Sequence, residues 1–159
     1  MKQTLEQLIK SLKFDYTNKD ITEENFPDDG RRGKVEIIDF KREITSEEAI
    51  KEMDEKGYRP ATAYELLTWA KNWNGKDFIV ELDSKWRRLH GYRCVLSLWG
   101  GAGGRSLSLH SFARKWIRHC RFAFVRKSVT EPLGTPEPFD PRNLEIKIGD
   151  KKYKLVEIK

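Results

Sequence analysis

The sequence has no long apolar run, because no window approaches the roughly 18 uncharged apolar residues that a membrane-spanning helix needs. Met1–Leu12 alternates charged residues with leucine and isoleucine, so it lacks the apolar stretch of a secretory signal. Two cysteines are too few for a disulfide framework, and their 26-residue separation matches no metal-binding spacing. For 159 residues, we therefore expect one ordinary domain, a cytoplasmic location and no membrane partner.

One long segment also has no acidic side chain. The 47 residues from Ser84 to Thr130 contain no Asp, Glu, Asn or Gln, although both cysteines and all three histidines lie there. This segment contributes a charge of +11 to a chain whose total is +6, so the remainder carries −5. Its basic residues are Lys85, Arg87, Arg88, Arg93, Arg105, Arg114, Lys115, Arg118, Arg121, Arg126 and Lys127. Such a division of charge predicts a scaffold that carries a specialised surface.

Apolar spacing and capping residues predict the main elements. Residues 3–13 carry leucines and an isoleucine at helical spacing, and Thr-x-x-Glu capping boxes at Thr45 and Thr62 predict two main helices. A first strand is predicted at 34–40. A small antiparallel sheet is predicted from apolar-rich runs at 78–82, 92–98, 105–109 and 121–126. The order of these elements predicts an α+β fold.

The end of the chain has a different composition. Residues 131–141 include four prolines, which predicts a linker. Residues 142–159 predict a C-terminal β-hairpin that turns at Gly149-Asp150. We therefore expect a main domain over 1–130, followed by this linker and a hairpin extension.

No catalytic signature is recognisable. The glycine-rich run Gly100–Gly104 precedes a predicted strand, whereas a phosphate-binding loop precedes a helix. The cysteines and histidines have the composition of a zinc site without its spacing, and the segment has no acid to orient a Cys–His pair. We expect no enzyme activity, no cofactor and no metal. A basic nucleic-acid-binding module stays open as an alternative, because tryptophans interrupt the basic residues.

The acid-free segment contains both anchors and unpatterned residues. Alternation over 105–112 predicts a half-buried strand, with Leu107, Leu109 and Phe112 facing the core. Trp116 and Phe122 are expected to be further buried anchors. By contrast, residues 87–92 and 117–120 show no periodicity, which is typical of binding loops.

Two fragments resemble a known family. Tyr58-Arg59-Pro60-Ala61-Thr62-Ala63-Tyr64-Glu65-Leu66-Leu67-Thr68-Trp69-Ala70 is similar to the Arg-Leu-Pro-Thr-x-x-Glu-Trp-x-x-Ala helix start of formylglycine-generating-enzyme-like C-type lectin folds. Arg121-Phe122-Ala123-Phe124-Val125-Arg126 is similar to the Gly-Phe-Arg-Leu-Val-Arg strand that closes that fold. The resemblance spans about residues 35–127 and implies a C-type lectin-like fold. Lectin calcium motifs and disulfides are missing, so the chain most resembles the variable proteins that retroelements diversify, of archaeal or viral type.

That resemblance also implies a function. In those proteins adenine-directed mutagenesis replaces asparagine codons across a ligand-binding surface, and a segment without asparagine is compatible with this. The implied role is a display protein that binds an unknown protein or other macromolecular ligand through about residues 86–120, with weak polyanion binding. An uncharacterised enzyme of the same fold is a further alternative. The implied binding residues are Leu89, His90, Tyr92, Cys94, Leu96, Trp99, Ser108, His110, Ser111, Arg114, Ile117, Arg118, His119 and Cys120.

Overall fold

The computed structural model describes residues 3–89 and 91–127, together with the backbone of 145–148 and 151–154. The chain divides into two compact units, Met1–Lys127 and Ser128–Lys159. Within the described residues, no helix combines the length and the apolar character that crossing a membrane requires.

Three α-helices lie in the described part of the first unit, and each begins at a capping box. They are α1 (Leu5–Leu12), α2 (Ser46–Glu55) and α3 (Ala63–Trp69), and a 3-10 turn at Ala70–Asn72 extends α3. At each start a threonine hydroxyl accepts a backbone N–H three residues later, and the side chain of that later residue accepts the threonine N–H. The N-terminal helix and the two capping-box helices predicted from the sequence are confirmed.

Seven strands form one mixed sheet. They are β1 (Tyr16–Thr17), β2 (Val35–Ile38), β4 (Tyr58–Pro60), β5 (Asp77–Glu81), β6 (Cys94–Gly101), β7 (Gly104–Ser111) and β9 (Cys120–Arg126). The order is β1-β7-β6-β5-β9-β2, and β4 also pairs with β9. The pairs β1–β7 and β5–β9 are parallel, and the other pairs are antiparallel. A second, two-stranded sheet joins β3 (Ile44–Thr45) to β8 (Lys115–Trp116).

The predicted fold class is therefore wrong. In the described residues, strand residues of a seven-stranded mixed sheet and of smaller sheets outnumber the residues of three short helices, and no C-type lectin fold is identified there. The sequence predicts too small a sheet because β1 has two residues and β4 has three, too few to show periodicity. The parallel pairs join distant segments, and local patterning does not reveal such pairing.

Apolar side chains pack on both faces of the large sheet. The first core lies under α1 and α3 and includes Leu66, Ala123 and Val125. The second core lies under α2 and includes Phe122 and Phe124 from the same strand. Successive residues of β9 therefore enter opposite cores, as the alternation of a strand requires.

In the second unit, β10 (Glu145–Ile148) and β11 (Lys151–Lys154) pair as an antiparallel hairpin, with Ile148 opposite Lys151. The predicted linker at 131–141 lies outside the described residues, as do 142–144, 149–150 and 155–159 of the predicted extension.

Candidate binding surface

A tryptophan and three serines share one face of the β6–β7 hairpin. Trp99 lies opposite Ser106, and Ser97 lies opposite Ser108. On the other side, Ser97 lies opposite Val80, whose side chain is in the second core, so these four side chains continue that face of the sheet. Trp99 is 44% exposed, whereas Ser97 is fully buried. The face therefore has a floor of small residues beside one large aromatic side chain.

His110 continues this face among aromatic rings. Its ring centroid lies 5.1 Å from that of Phe78 and 6.2 Å from that of Trp116, and both contacts are edge-on. Its Nδ1 lies 2.9 Å from Ser97 Oγ. Burial, reinforced by the positive charge of Arg114, lowers the pKa of His110 below its usual value of 6.5. The neutral ring is therefore the favoured form.

The segment after β7 adds a cation to this surface. The Arg114 guanidinium lies 4.9 Å from the centroid of the Trp116 ring, within the range of a cation–π contact. We call this surface the display face, formed by Trp99, Ser106, Ser108, His110 and Arg114. Ile117, another predicted binding residue, follows β8 and is 51% exposed.

The Ser97–His110 pair resembles half of a nucleophilic site, but its surroundings differ from such a site. Nucleophile activation by histidine normally requires a third group that orients the ring. Within the described ranges, no carboxylate forms a hydrogen bond or ion pair with His110, and no group of three His, Cys, Asp or Glu side chains could hold a metal ion. The Ser97 side chain is also buried. This geometry orients the His110 ring within the display face.

Two predicted binding residues lie outside the display face, in the loop between β5 and β6. Leu89 and Tyr92 are both well exposed there, beside a bridge between Arg87 and Arg93. His90, in the same loop, lies outside the described residues. Arg118 and His119 are exposed in the turn between β8 and β9.

Three predicted surface residues are instead in the core, so their placement on the exposed surface is wrong. Cys94 and Leu96 belong to the first core, and Cys120 belongs to the second. Strand β6 lies inside the sheet between β5 and β7, and both of its faces are buried from Cys94 to Leu98. Burial also raises the pKa of both thiols, as expected for packed cysteines.

Ser111 lies on the opposite face of β7 from His110. Its partner across the sheet is Cys94, which belongs to the first core, and Leu109 on the same face is also buried there. Ser111, which the resemblance implies as a binding residue together with His110, therefore does not share the face of His110. The expected anchors Leu107, Leu109, Phe112, Trp116 and Phe122 are all buried, which confirms that part of the prediction.

Sequence reasoning missed three residues of this region: Phe78, Ser97 and Ser106. Ser106 could have been found, because it alternates with Leu107 as Ser108 does with Leu109. Phe78 and Ser97 could not, because their positions depend on the register that places Phe78 opposite Trp99. The glycine-rich run forms the tip of the β6–β7 hairpin, with Gly101 opposite Gly104.

The basic residues of the acid-free segment do not form one continuous face. Three of them pair with acids of the scaffold: Lys115 with Glu43, Arg121 with Asp39 and Asp77, and Lys127 with Asp54. Arg105 lies over the rings of Phe14 and Trp73, and Arg126 lies over Tyr58. The positive charge is therefore divided among several surroundings.

A separate cleft of about 370 Å³ lies away from these predicted residues. Aromatic side chains of Phe26, Tyr64 and Trp86 line it. Arg31 at its wall bridges Asp29 and Asp83, with N–O distances of 2.6 and 2.9 Å. Both acids are thus engaged by the protein's own arginine.

The display face combines an exposed tryptophan and an exposed arginine with half-buried serines. Comparisons with protein-family models, with curated proteins and with solved structures found no match to the chain.

Proposed function

We propose that this chain is a binding protein that presents the display face to a macromolecular ligand and acts without catalysis. The observation that carries the proposal is the exposure of Trp99 on a sheet face whose neighbouring side chains are serines. Tryptophan and arginine contribute a large share of the energy at protein interfaces, and Arg114 lies on the same face. The serines leave space for a ligand group between these larger side chains.

The support behind the display face favours this role. Leu107 and Leu109 alternate with Ser106 and Ser108 along β7, and both leucines are buried in the first core. The leucines attach the strand to the scaffold while the serines face outward. The outward residues can therefore change with little effect on packing.

We further propose that a retroelement diversifies the display positions. Asparagine is absent from all 47 residues of the acid-free segment, as expected if adenine-directed mutagenesis has replaced its codons. The test is the sequence around the gene. A neighbouring reverse transcriptase and a near-identical repeat that differs at adenines would support this proposal, and their absence would contradict it. The cytoplasmic location expected from the sequence belongs to the same proposal.

The binding function can be tested with two libraries. One library randomises Trp99, Ser106, Ser108 and Arg114, and the control library randomises the exposed helix positions Lys10, Glu47, Lys51 and Glu55. We expect members of both libraries to remain folded, because exposed substitutions usually change stability by about 0.5 kcal/mol or less. Only the first library should yield specific binders when it is selected against unrelated protein baits. Widespread unfolding in the first library, or equal yields from both, would contradict the proposal.

Nucleic-acid binding receives less support from the structure than ligand display. The ion pairs of Lys115, Arg121 and Lys127 with scaffold acids reduce the charge available to phosphates. An enzyme also receives less support, because among the described residues no carboxylate orients the Ser97–His110 pair.

A further inference from the structure

The loop between β5 and β6 ends in a tight, hydrogen-bonded turn. The Arg88 N–H donates to the Tyr92 carbonyl over 2.8 Å, and the Gly91 N–H donates to the Arg88 carbonyl over 2.7 Å. Gly91 has φ of +87°, a left-handed conformation that glycine adopts at little cost. Arg87 Nη1 donates to the Gly91 carbonyl over 2.7 Å. These bonds tie Arg87 and Arg88 to Gly91 and Tyr92.

The base of the loop is fixed by an arginine that points back into the protein. Arg93 Nε donates to the Ser84 carbonyl over 2.8 Å, and its guanidinium lies 3.6 Å from the centroid of the Phe112 ring. On the opposite side of the base, Trp86 packs on Phe26 with ring centroids 5.6 Å apart. The loop is therefore attached to the scaffold through both of its ends.

A buried carboxyl group fixes the first turn of the same loop. Glu81 accepts the N–H groups of Asp83, Ser84 and Leu96, each over 2.8 or 2.9 Å. Its side chain is fully buried, and this burial raises its pKa to about 7. Because Leu96 belongs to β6, the carboxyl group ties the start of the loop to the strand that follows it.

The fixed end of this loop presents apolar side chains to solvent. Leu89 is 94% exposed and Tyr92 is 62% exposed, the two largest exposures among the large apolar side chains described. A single exposed leucine is ordinary. Leu89 differs from such a residue because it lies in a hydrogen-bonded turn beside the exposed Tyr92. Arg87 and Arg88, next to it in the chain, have no carboxylate within 4 Å in the described ranges.

We propose that this loop tip, formed by Arg87, Arg88, Leu89 and Tyr92, docks on a protein partner whose surface has an apolar pocket rimmed by carboxylates. The inference rests on the proposed binding function and assigns a partner chemistry to it. Leu89 would fill the pocket, and the two arginines would pair with the rim. Arg and Tyr are enriched at the energetic centres of protein interfaces, and a preformed loop loses little conformational entropy on binding.

Other macromolecules fit the loop tip less well. Leu89 has no ring to stack on a base, and the ring of Trp86 is engaged by Phe26. At a membrane, one aliphatic side chain buries little area, and stable anchoring usually needs more than one apolar group. An acidic protein surface with an apolar pocket would contact both the Leu89 side chain and the charges of Arg87 and Arg88.

The test selects phage-displayed libraries of disulfide-closed random peptides, which can enclose a side chain, on the immobilised full chain. We expect the enriched peptides to combine Asp or Glu with bulky aliphatic residues. Their dissociation constants should rise about tenfold or more for Leu89→Ser and for the double variant Arg87→Glu/Arg88→Glu. Tyr16→Ser and Lys71→Glu are the matched controls, because both side chains are exposed elsewhere, and they should bind as the wild type does.

Several results would overturn the inference. No enriched peptide, enriched peptides without acids, or unchanged binding by Leu89→Ser would each do so. Tip-dependent binding to mixed-sequence oligonucleotides or to phosphatidylserine vesicles would replace the protein partner with another class. If instead Trp99→Ala and Arg114→Ala abolish peptide binding while the tip variants bind normally, the display-face function stands and the tip inference fails.

Discussion

Nδ1 of His110 lies 2.9 Å from Ser97 Oγ, and the ring is enclosed by aromatic side chains on the face that carries Trp99. The serine hydroxyl can donate to Nδ1 of the neutral ring. The histidine is thus a half-buried part of the display face, and its protonation is coupled to the stability of the fold.

The first prediction concerns pH. In the folded state burial lowers the pKa of His110, so the unfolded chain takes up a proton near the usual value of 6.5 while the folded chain does not. The contribution of His110 to stability should therefore fall as the pH drops below 6.5, whereas that of Glu81, whose pKa is raised to about 7, changes in the opposite direction in the wild type and in the variant alike. Between about pH 7.5 and about pH 5.5, His110→Phe should therefore gain stability relative to the wild type. The measurement is urea unfolding at both pH values.

Ser97→Ala is the control for this prediction. It removes the hydrogen bond to His110 but leaves the burial of the ring, so most of the wild-type pH dependence should remain. Identical pH dependence in the wild type and in His110→Phe would contradict the proposed coupling.

A second prediction compares two tryptophans of the acid-free segment. Trp116 is fully buried in the second core, so Trp116→Ala should cost about 3–5 kcal/mol of unfolding free energy. Trp99 is partly exposed on the display face, so Trp99→Ala should cost no more than about 1 kcal/mol. Thermal or urea melts of the two variants provide the comparison. Equal losses would mean that Trp99 is a core residue and not a display residue.

The third prediction tests the network around Glu65. Its carboxylate accepts two hydrogen bonds from Arg59, each over 2.8 Å, and one each from the Thr62 and Gly33 N–H groups. Although burial alone would raise it, these bonds hold the pKa of Glu65 below its usual value of 4.5. Glu65→Gln removes the charge that Arg59 faces, and it should cost about 3 kcal/mol.

The pKa values of Glu65 and His110 are both lowered, but for different reasons. Burial lowers the pKa of His110, whereas hydrogen bonds lower that of Glu65 against the effect of burial. Because its pKa is lower in the folded state, the carboxylate contributes stability above about pH 4.5, and this is lost as the pH falls through the folded pKa. The wild type should therefore lose its advantage over Glu65→Gln in acid. Urea unfolding near neutral pH and below about pH 4 measures this change. A constant difference between the two proteins would contradict the expected linkage.

The fourth prediction depends on the close approach of two glycines. A Cβ atom at Gly100 would lie 1.8 Å from the Gly75 carbonyl oxygen, so a methyl group must displace backbone. Gly100→Ala should therefore cost about 1–3 kcal/mol, as overpacking does. Gly103→Ala, in the turn between β6 and β7, is the control because a Cβ atom there meets no atom within 4 Å. Equal melting temperatures of the two variants would contradict the clash.

Local signals explain which elements were predictable. The capping boxes at Thr45 and Thr62 depend on residues only three positions apart, so the sequence shows them directly. The parallel pairing of Phe78 with Cys120 joins segments 42 residues apart, and no local pattern encodes it. Burial on both faces of β6 likewise depends on what covers the sheet, which is why Cys94 and Leu96 were misplaced.

Adjacent residues of β7 have different structural roles. Leu107 and Leu109 maintain the packing against α1 and α3, while Ser106, Ser108 and His110 form the outer surface. Under the proposed binding function, a change at Ser106 or Ser108 would alter recognition without requiring a compensating change in the core. The alternation of a single strand would then allow the same folded scaffold to bind new ligands.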